Sequence, residues 1–206
     1  MKSNSKITYI FAHGAGAPST SDWMNTVSEM IINRSEKRIN VIRFNFPYME
    51  KRIRENKKYP PNRMPKLLEE WYRQINLIDS DQVIFIGGKS MGGRASTLLN
   101  FTELENKVRG IITFGFPFHS PGKEPGDRIL HLKDLNIACL INQGERDPMG
   151  TKDEIKNYNL SKKIKINYLP DGNHDLKPRV KSGITLDQNL IRAVDCSIDF
   201  MMENLS

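Results

Sequence analysis

The sequence predicts an α/β fold, an open parallel sheet of six strands with helices on both faces. Two observations carry this. Short apolar runs of strand length alternate with segments of helical periodicity along the 206-residue chain. The runs are apolar nearly throughout, as strands covered on both faces must be. A third observation concerns the turns: each distinctive one follows a strand, and open parallel sheets bind ligands beyond the carboxyl ends of their strands.

The elements follow in order. Residues 6–12 form the first strand, and His13-Gly14-Ala15-Gly16-Ala17-Pro18 a flexible turn after it. Ser21 or Asp22 caps a helix with Trp23, Val27, Met30 and Ile31 on one face. Residues 39–46 form the second strand, ended by Pro47, and a basic loop occupies 47–66. Leu67, Leu68, Trp71, Ile75 and Ile78 mark an amphipathic helix. The third strand begins at Gln82. Strands at 108–114, 137–142 and 164–169 follow, with a short helix at 152–158. Thr185 and Gln188 have capping-box spacing and open a last helix with Leu186, Leu190, Val194, Ile198 and Met201 on one stripe. One domain, 1–206, accounts for the whole pattern.

The third strand runs into Gly88-Lys89-Ser90-Met91-Gly92, which fits G-x-S-x-G, and then into a helical stretch from Arg94 to Leu99. Strand, serine in a tight turn, helix is the setting of a nucleophile elbow. A phosphate-binding loop would need glycine where Val83 stands. The dinucleotide fingerprint would need one where Ser19 stands.

A serine hydroxyl attacks only if a base takes its proton, and the base needs a partner to fix its tautomer. In the order serine, acid, histidine, the sequence offers Ser90, Asp147 after the fifth strand and His174 after the sixth. Asp171 and Asp175 share the turn of His174, but so short a side chain reaches backbone or solvent instead. His131, in a segment flanked by Lys and Asp, reads as a surface residue, and His13 as an anchor of its turn. His119, in the aromatic loop after the fourth strand, is expected to line the pocket with Phe116, Phe118 and Gly16. The backbone N–H of Met91, with that of Ala15 in the turn after the first strand, would hold an oxyanion. Gly16 is the next choice for the second donor. No metal motif and no cofactor motif is present, so neither a metal nor a cofactor is expected.

Composition excludes little more. The net charge is +7, and residues 47–66 hold seven basic residues against two acidic ones. This segment reads first as a solvated basic loop, then as a contact for an anionic substrate or partner. Nucleic acid comes a distant third, because no binding motif accompanies the charge. No apolar run approaches a membrane span, and the short run at 7–12 is too short for a signal-peptide core, so the cytoplasm is expected. Cys139 and Cys196 read as small buried thiols.

On these residues the chain resembles the small α/β-hydrolases, dienelactone-hydrolase-like in form. More closely, it resembles the bacterial group akin to testis-expressed protein 30 and subunit 3 of the nonspecific-lethal chromatin complex. The matching pieces include Phe11 to Ala17, Phe46-Pro47-Tyr48-Met49, Gly88 to Arg94, Phe116 to His119, Gln143 to Pro148 and Asn173 to Lys177. The resemblance implies sheet order 2-1-3-4-5-6 and no inserted lid. The expected activity is cleavage of a small ester or thioester, with Ser90, His174 and Asp147 as the catalytic residues. The alternative is a binding protein that docks a partner through the basic loop.

Overall fold

The computed structural model describes residues 7–104 and 107–205. Lys6, expected to start the first strand, lies outside them. The strands are β1 (Ile7–Ala12), β2 (Ile39–Phe44), β3 (Val83–Lys89), β4 (Val108–Phe114), β5 (Cys139–Gly144) and β6 (Ile164–Leu169). All their pairings are parallel, in the order β2-β1-β3-β4-β5-β6. The fold class and strand order are those expected. The central strands are buried on both faces, and alternate side chains enter different cores, as the two-residue period of a strand requires. Ile10 and Ala12 join one core, and Tyr9 and Phe11 the other.

The helices are α1 (Asp22–Arg34), α2 (Pro47–Glu55), α3 (Met64–Asn76), α4 (Met91–Ser96), α5 (Lys152–Ile155) and α6 (Leu186–Glu203). α1 and α6 cover one face through Met24, Val27, Ile31, Leu190, Val194 and Ile198. Tyr48, Met49, Leu67, Trp71 and Ile75 of α2 and α3 pack into the core on the other. Thr185 and Gln188 form the capping box of α6, each side chain bonded to the other's backbone N–H. No helix among the described residues is long and apolar enough to cross a membrane.

Residues 47–66 correct the expected loop, since the first half is α2. Pro47 both ends the strand and starts the helix, because its fixed φ suits the first helical position and the N–H it lacks has no partner there. Tyr48 and Met49 are buried while Lys51 and Arg54 face solvent, so the charge density hid one amphipathic turn. Asn56, left-handed at φ 47°, ends it. Residues 57–63 have no helix or strand.

Candidate active site

β3 delivers Ser90 at the carboxyl edge of the sheet, with φ 49° and ψ −117°. A non-glycine residue rarely takes that conformation, at a cost of roughly 1–3 kcal/mol, so the surrounding structure must enforce it. The enforcement is close backbone packing. A Cβ on Gly88 would lie 2.4 Å from the Ala12 carbonyl oxygen, and one on Gly92 2.6 Å from that of His13. Larger residues at either position would push the turn off β1.

Ser90 Oγ lies 2.9 Å from His174 Nε2, and His174 Nδ1 lies 2.7 Å from Asp147 Oδ2. The carboxylate can only accept, so Nδ1 carries the proton and Nε2 is left to accept from the serine. Asp147 is wholly buried, and its other oxygen accepts from the Met149 N–H at 2.8 Å. Gln143, also wholly buried, donates to Asp147 Oδ2 at 2.9 Å. The same amide binds the Phe116 N–H at 2.7 Å and the Gly150 carbonyl at 3.0 Å. It thereby ties the loops after β4 and β5 together behind the acid. Sequence reasoning missed Gln143; its position at the end of an apolar strand was the available signal.

The two nearer aspartates are engaged elsewhere. Asp171 pairs with Arg146 at 2.8 Å and with Arg179. The Arg179 bond outweighs desolvation and holds its carboxyl well below the usual range. Asp175 pairs with Lys89, the residue before the serine. Desolvation raises the Asp175 carboxyl, but the bond and charge of Lys89 more than offset this and hold it low. Trp23 Nε1 donates to the Asp175 carbonyl at 3.2 Å, and the Lys89 ammonium lies 5.1 Å from the Trp23 ring centre.

Beside Ser90 is a groove of about 610 Å³. Ala15, Gly16, Trp23, Met24, Met149 and Leu186 supply backbone and apolar walls, and Lys89, Asp175 and Lys177 supply charge. Ala15 and Gly16 thus lie on the same groove as Ser90 and His174. Met91 begins α4 directly after Ser90, and the first N–H of a helix has no partner within it.

Phe116, Phe118 and His119 do not line this groove, which corrects the expected substrate wall. Phe116 and Phe118 are wholly buried in the core with ring centres 4.9 Å apart, and Phe118 lies where a Gly150 side chain would have to go. His119 is buried against Glu154, its Nε2 3.5 Å from a carboxylate oxygen, too long for a good hydrogen bond. The aromatic loop folds under the acid's turn because its apolar rings gain more from burial than from lining an open groove. His131 is likewise not a free surface residue. It is half-buried, with Nε2 2.9 Å from Thr97 Oγ1, and burial lowers its pKa to about 4.

His13 is wholly buried and holds its turn from both ring nitrogens. Nε2 accepts the Phe46 N–H at 3.1 Å, so Nδ1 is the protonated nitrogen and donates to the Gly14 carbonyl at 2.6 Å. Desolvation lowers its pKa to about 4, against the opposing effect of the Gly14 carbonyl.

Comparison with known proteins agrees with this architecture. The α/β-hydrolase domain family matches over residues 5–202, and the chain belongs to that family. Among solved structures it is similar to Est1E from Butyrivibrio proteoclasticus, solved with ferulic acid bound. Identity there is 15%, coverage is 99% of this chain and 92% of that one, and the TM-score is 0.68. It is similar also to a dienelactone hydrolase from Anabaena variabilis, with 16% identity, 98% and 88% coverage and a TM-score of 0.69. A third likeness is to an α/β serine hydrolase without a lid from Xanthomonas campestris, with 16% identity, 97% and 82% coverage and a TM-score of 0.61. At such identities the likeness is one of fold. No curated protein sequence matches the chain. Among the described residues no group of three or more His, Cys, Asp or Glu side chains could hold a metal ion.

Proposed function

We propose that this chain is a serine hydrolase that cleaves a small ester or thioester through an acyl-enzyme. The observation that carries the reading is the unbroken hydrogen-bonded line from Ser90 through His174 to Asp147 at a strained strand-to-helix turn. As Ser90 Oγ attacks the acyl carbonyl, His174 Nε2 takes its proton, and the buried Asp147 stabilises the imidazolium. The N–H groups of Met91 and Ala15 receive the negative oxygen, with Gly16 as the adjacent donor. Collapse expels the alcohol or thiol, which takes the proton from His174. Water then repeats the sequence, releasing the acid and restoring Ser90.

The groove beside Ser90 supports a small apolar group on the substrate, and Lys177 at its margin supports one that carries a negative charge, Lys89 there being paired with Asp175. The matched sequence pieces support membership of the group akin to testis-expressed protein 30, as one domain over 1–206. Two thiols, Cys139 buried and Cys196 in α6, fit a reducing compartment such as the cytoplasm.

The test is labelling of purified protein with a fluorophosphonate. Wild type should react and Ser90→Ala should not, with its melting temperature unchanged. Hydrolysis by Ser90→Ala close to wild type would remove the assignment. With p-nitrophenyl esters, acetate should turn over faster than palmitate, because among the described residues no inserted element covers the groove.

A second reading has one observation in its favour. Lys57 and Lys58 are exposed and make no ion pair among the described residues. A non-catalytic protein could dock an acidic partner there, and a wild-type serine inert to the fluorophosphonate would favour that reading.

A further inference from the structure

The basic segment reaches the site from behind. Ala15 and Gly16 can turn their N–H groups toward Ser90 only if their peptide planes are held, and the loop at this point belongs to no helix or strand. The side chains that hold it come from α2. Tyr48 Oη donates to the Ala15 carbonyl at 3.0 Å and lies 3.4 Å from that of Gly14. Arg52 Nη1 donates to the same Ala15 carbonyl at 3.2 Å. The Arg52 guanidinium lies 5.0 Å from the Tyr48 ring centre, and its Nε donates to the Tyr59 carbonyl at 2.5 Å. The two side chains therefore fix one another as well as the loop.

The consequence follows from peptide geometry. These peptides are trans, so the N–H of each plane points opposite to its C=O. The Gly14 carbonyl is drawn to His13 and the Ala15 carbonyl to Tyr48 and Arg52. The Ala15 and Gly16 N–H groups are thereby turned the other way, and both residues line the groove that holds Ser90. A carbonyl that accepts two bonds, one from a cation, also polarises its own peptide, which makes the Gly16 N–H a stronger donor.

We propose that Tyr48 and Arg52 are positioning residues for the oxyanion site, orienting and polarising the Ala15–Gly16 peptide from its far side. This rests on the reading of Ser90 as the nucleophile. Burial pushes the Tyr48 phenol up to about 12 against the opposing charge of Arg52, so it stays a donor through the neutral range.

Tyr48→Phe keeps the buried ring and removes only the donor, and Arg52→Met removes the second donor from a half-exposed site. Removing an oxyanion donor outright costs about 10²–10³ in kcat, so loosening one should cost less, about 10-fold per variant, with KM for p-nitrophenyl acetate within about two-fold. Arg52→Lys should recover part of the loss. Affinity for phenylboronic acid, whose tetrahedral adduct on Ser90 fills the oxyanion site, should fall in proportion to kcat. Lys57→Ala, in the same segment but exposed, should leave both readings at wild type. If wild type hydrolyses the ester while Tyr48→Phe and Arg52→Met keep kcat, or lose only KM, the inference falls and the hydrolase reading stands. If wild-type Ser90 is itself inert to the fluorophosphonate, both fall together.

Discussion

Two loops flank Ser90, and they are held by opposite means. The turn of Asp147 is sealed. The acid and Gln143 are wholly buried, every carboxylate bond comes from inside, and Phe116 and Phe118 pack beneath it. The Ala15 turn is held on one side only, through its carbonyls, by His13, Tyr48 and Arg52, while Gly16 and Ala17 are exposed. The proposed hydrolase reading accounts for the difference by what each would have to do. A buried carboxylate fixed in one direction needs all its partners supplied by the protein, since a buried polar group left short of them is costly. A loop that offers N–H groups to a substrate must leave that side empty.

The comparison can be broken hardest at the sealed turn. Asp147→Asn should fold as wild type yet lose kcat by roughly 10³-fold or more, because the amide favours the wrong tautomer of His174, as in serine proteases. A loss under ten-fold would mean that another group orients the histidine.

Acid should weaken the one-sided loop next. His13 titrates near 4 in the fold against an ordinary 6.5. Between those values the unfolded chain binds the proton and the folded one does not, so stability rises with pH across that window. The contribution is complete above pH 6.5 and lost as pH falls to 4, at roughly 3 kcal/mol. Urea titrations at pH 7, 5.5 and 4.5 should show the decline, to which buried His131 also contributes, and His13→Asn should make it shallower without abolishing it while lowering stability at pH 7. An unchanged slope in that variant would remove His13 from the account.

Gln143→Leu sharpens the contrast further. It strands the Phe116 N–H and the Gly150 carbonyl, and leaving a buried group unpaired costs about 1–3 kcal/mol. Denaturation should show that loss, and kcat should fall with it because the acid is no longer braced. Wild-type stability would mean that water replaces the amide. The smallest effect belongs to Asp175→Asn. Its side chain is 59% exposed although that of Lys89 is only 15% exposed, and a pair so open on one side contributes about 1 kcal/mol. Melting temperature and kcat should stay close to wild type; a loss approaching that of Asp147→Asn would reverse the roles of the two acids.

Much of this was legible in the chain itself. Apolar runs of strand length alternating with helical stripes fixed the sheet, because burial on both faces leaves a continuous apolar run and burial on one leaves a 3.6-residue period. Gly88 and Gly92 around Ser90 marked a turn that admits no side chain against β1, a constraint local enough to read in five residues. Asp147 and His174, far apart in sequence, could be proposed together because parallel strands deliver all their following turns to one edge. Which way a side chain faces once at that edge was not legible. Phe116 and Phe118 went down into the core and Arg52 turned in toward Ala15, though composition suggested an aromatic substrate wall and a solvated basic loop. Composition records what a residue can bury or bond. The choice between facing the groove and packing behind it depends on which neighbours the fold supplies, and those neighbours, Gln143 beside Phe116 and Ala15 beside Arg52, meet only in the tertiary structure.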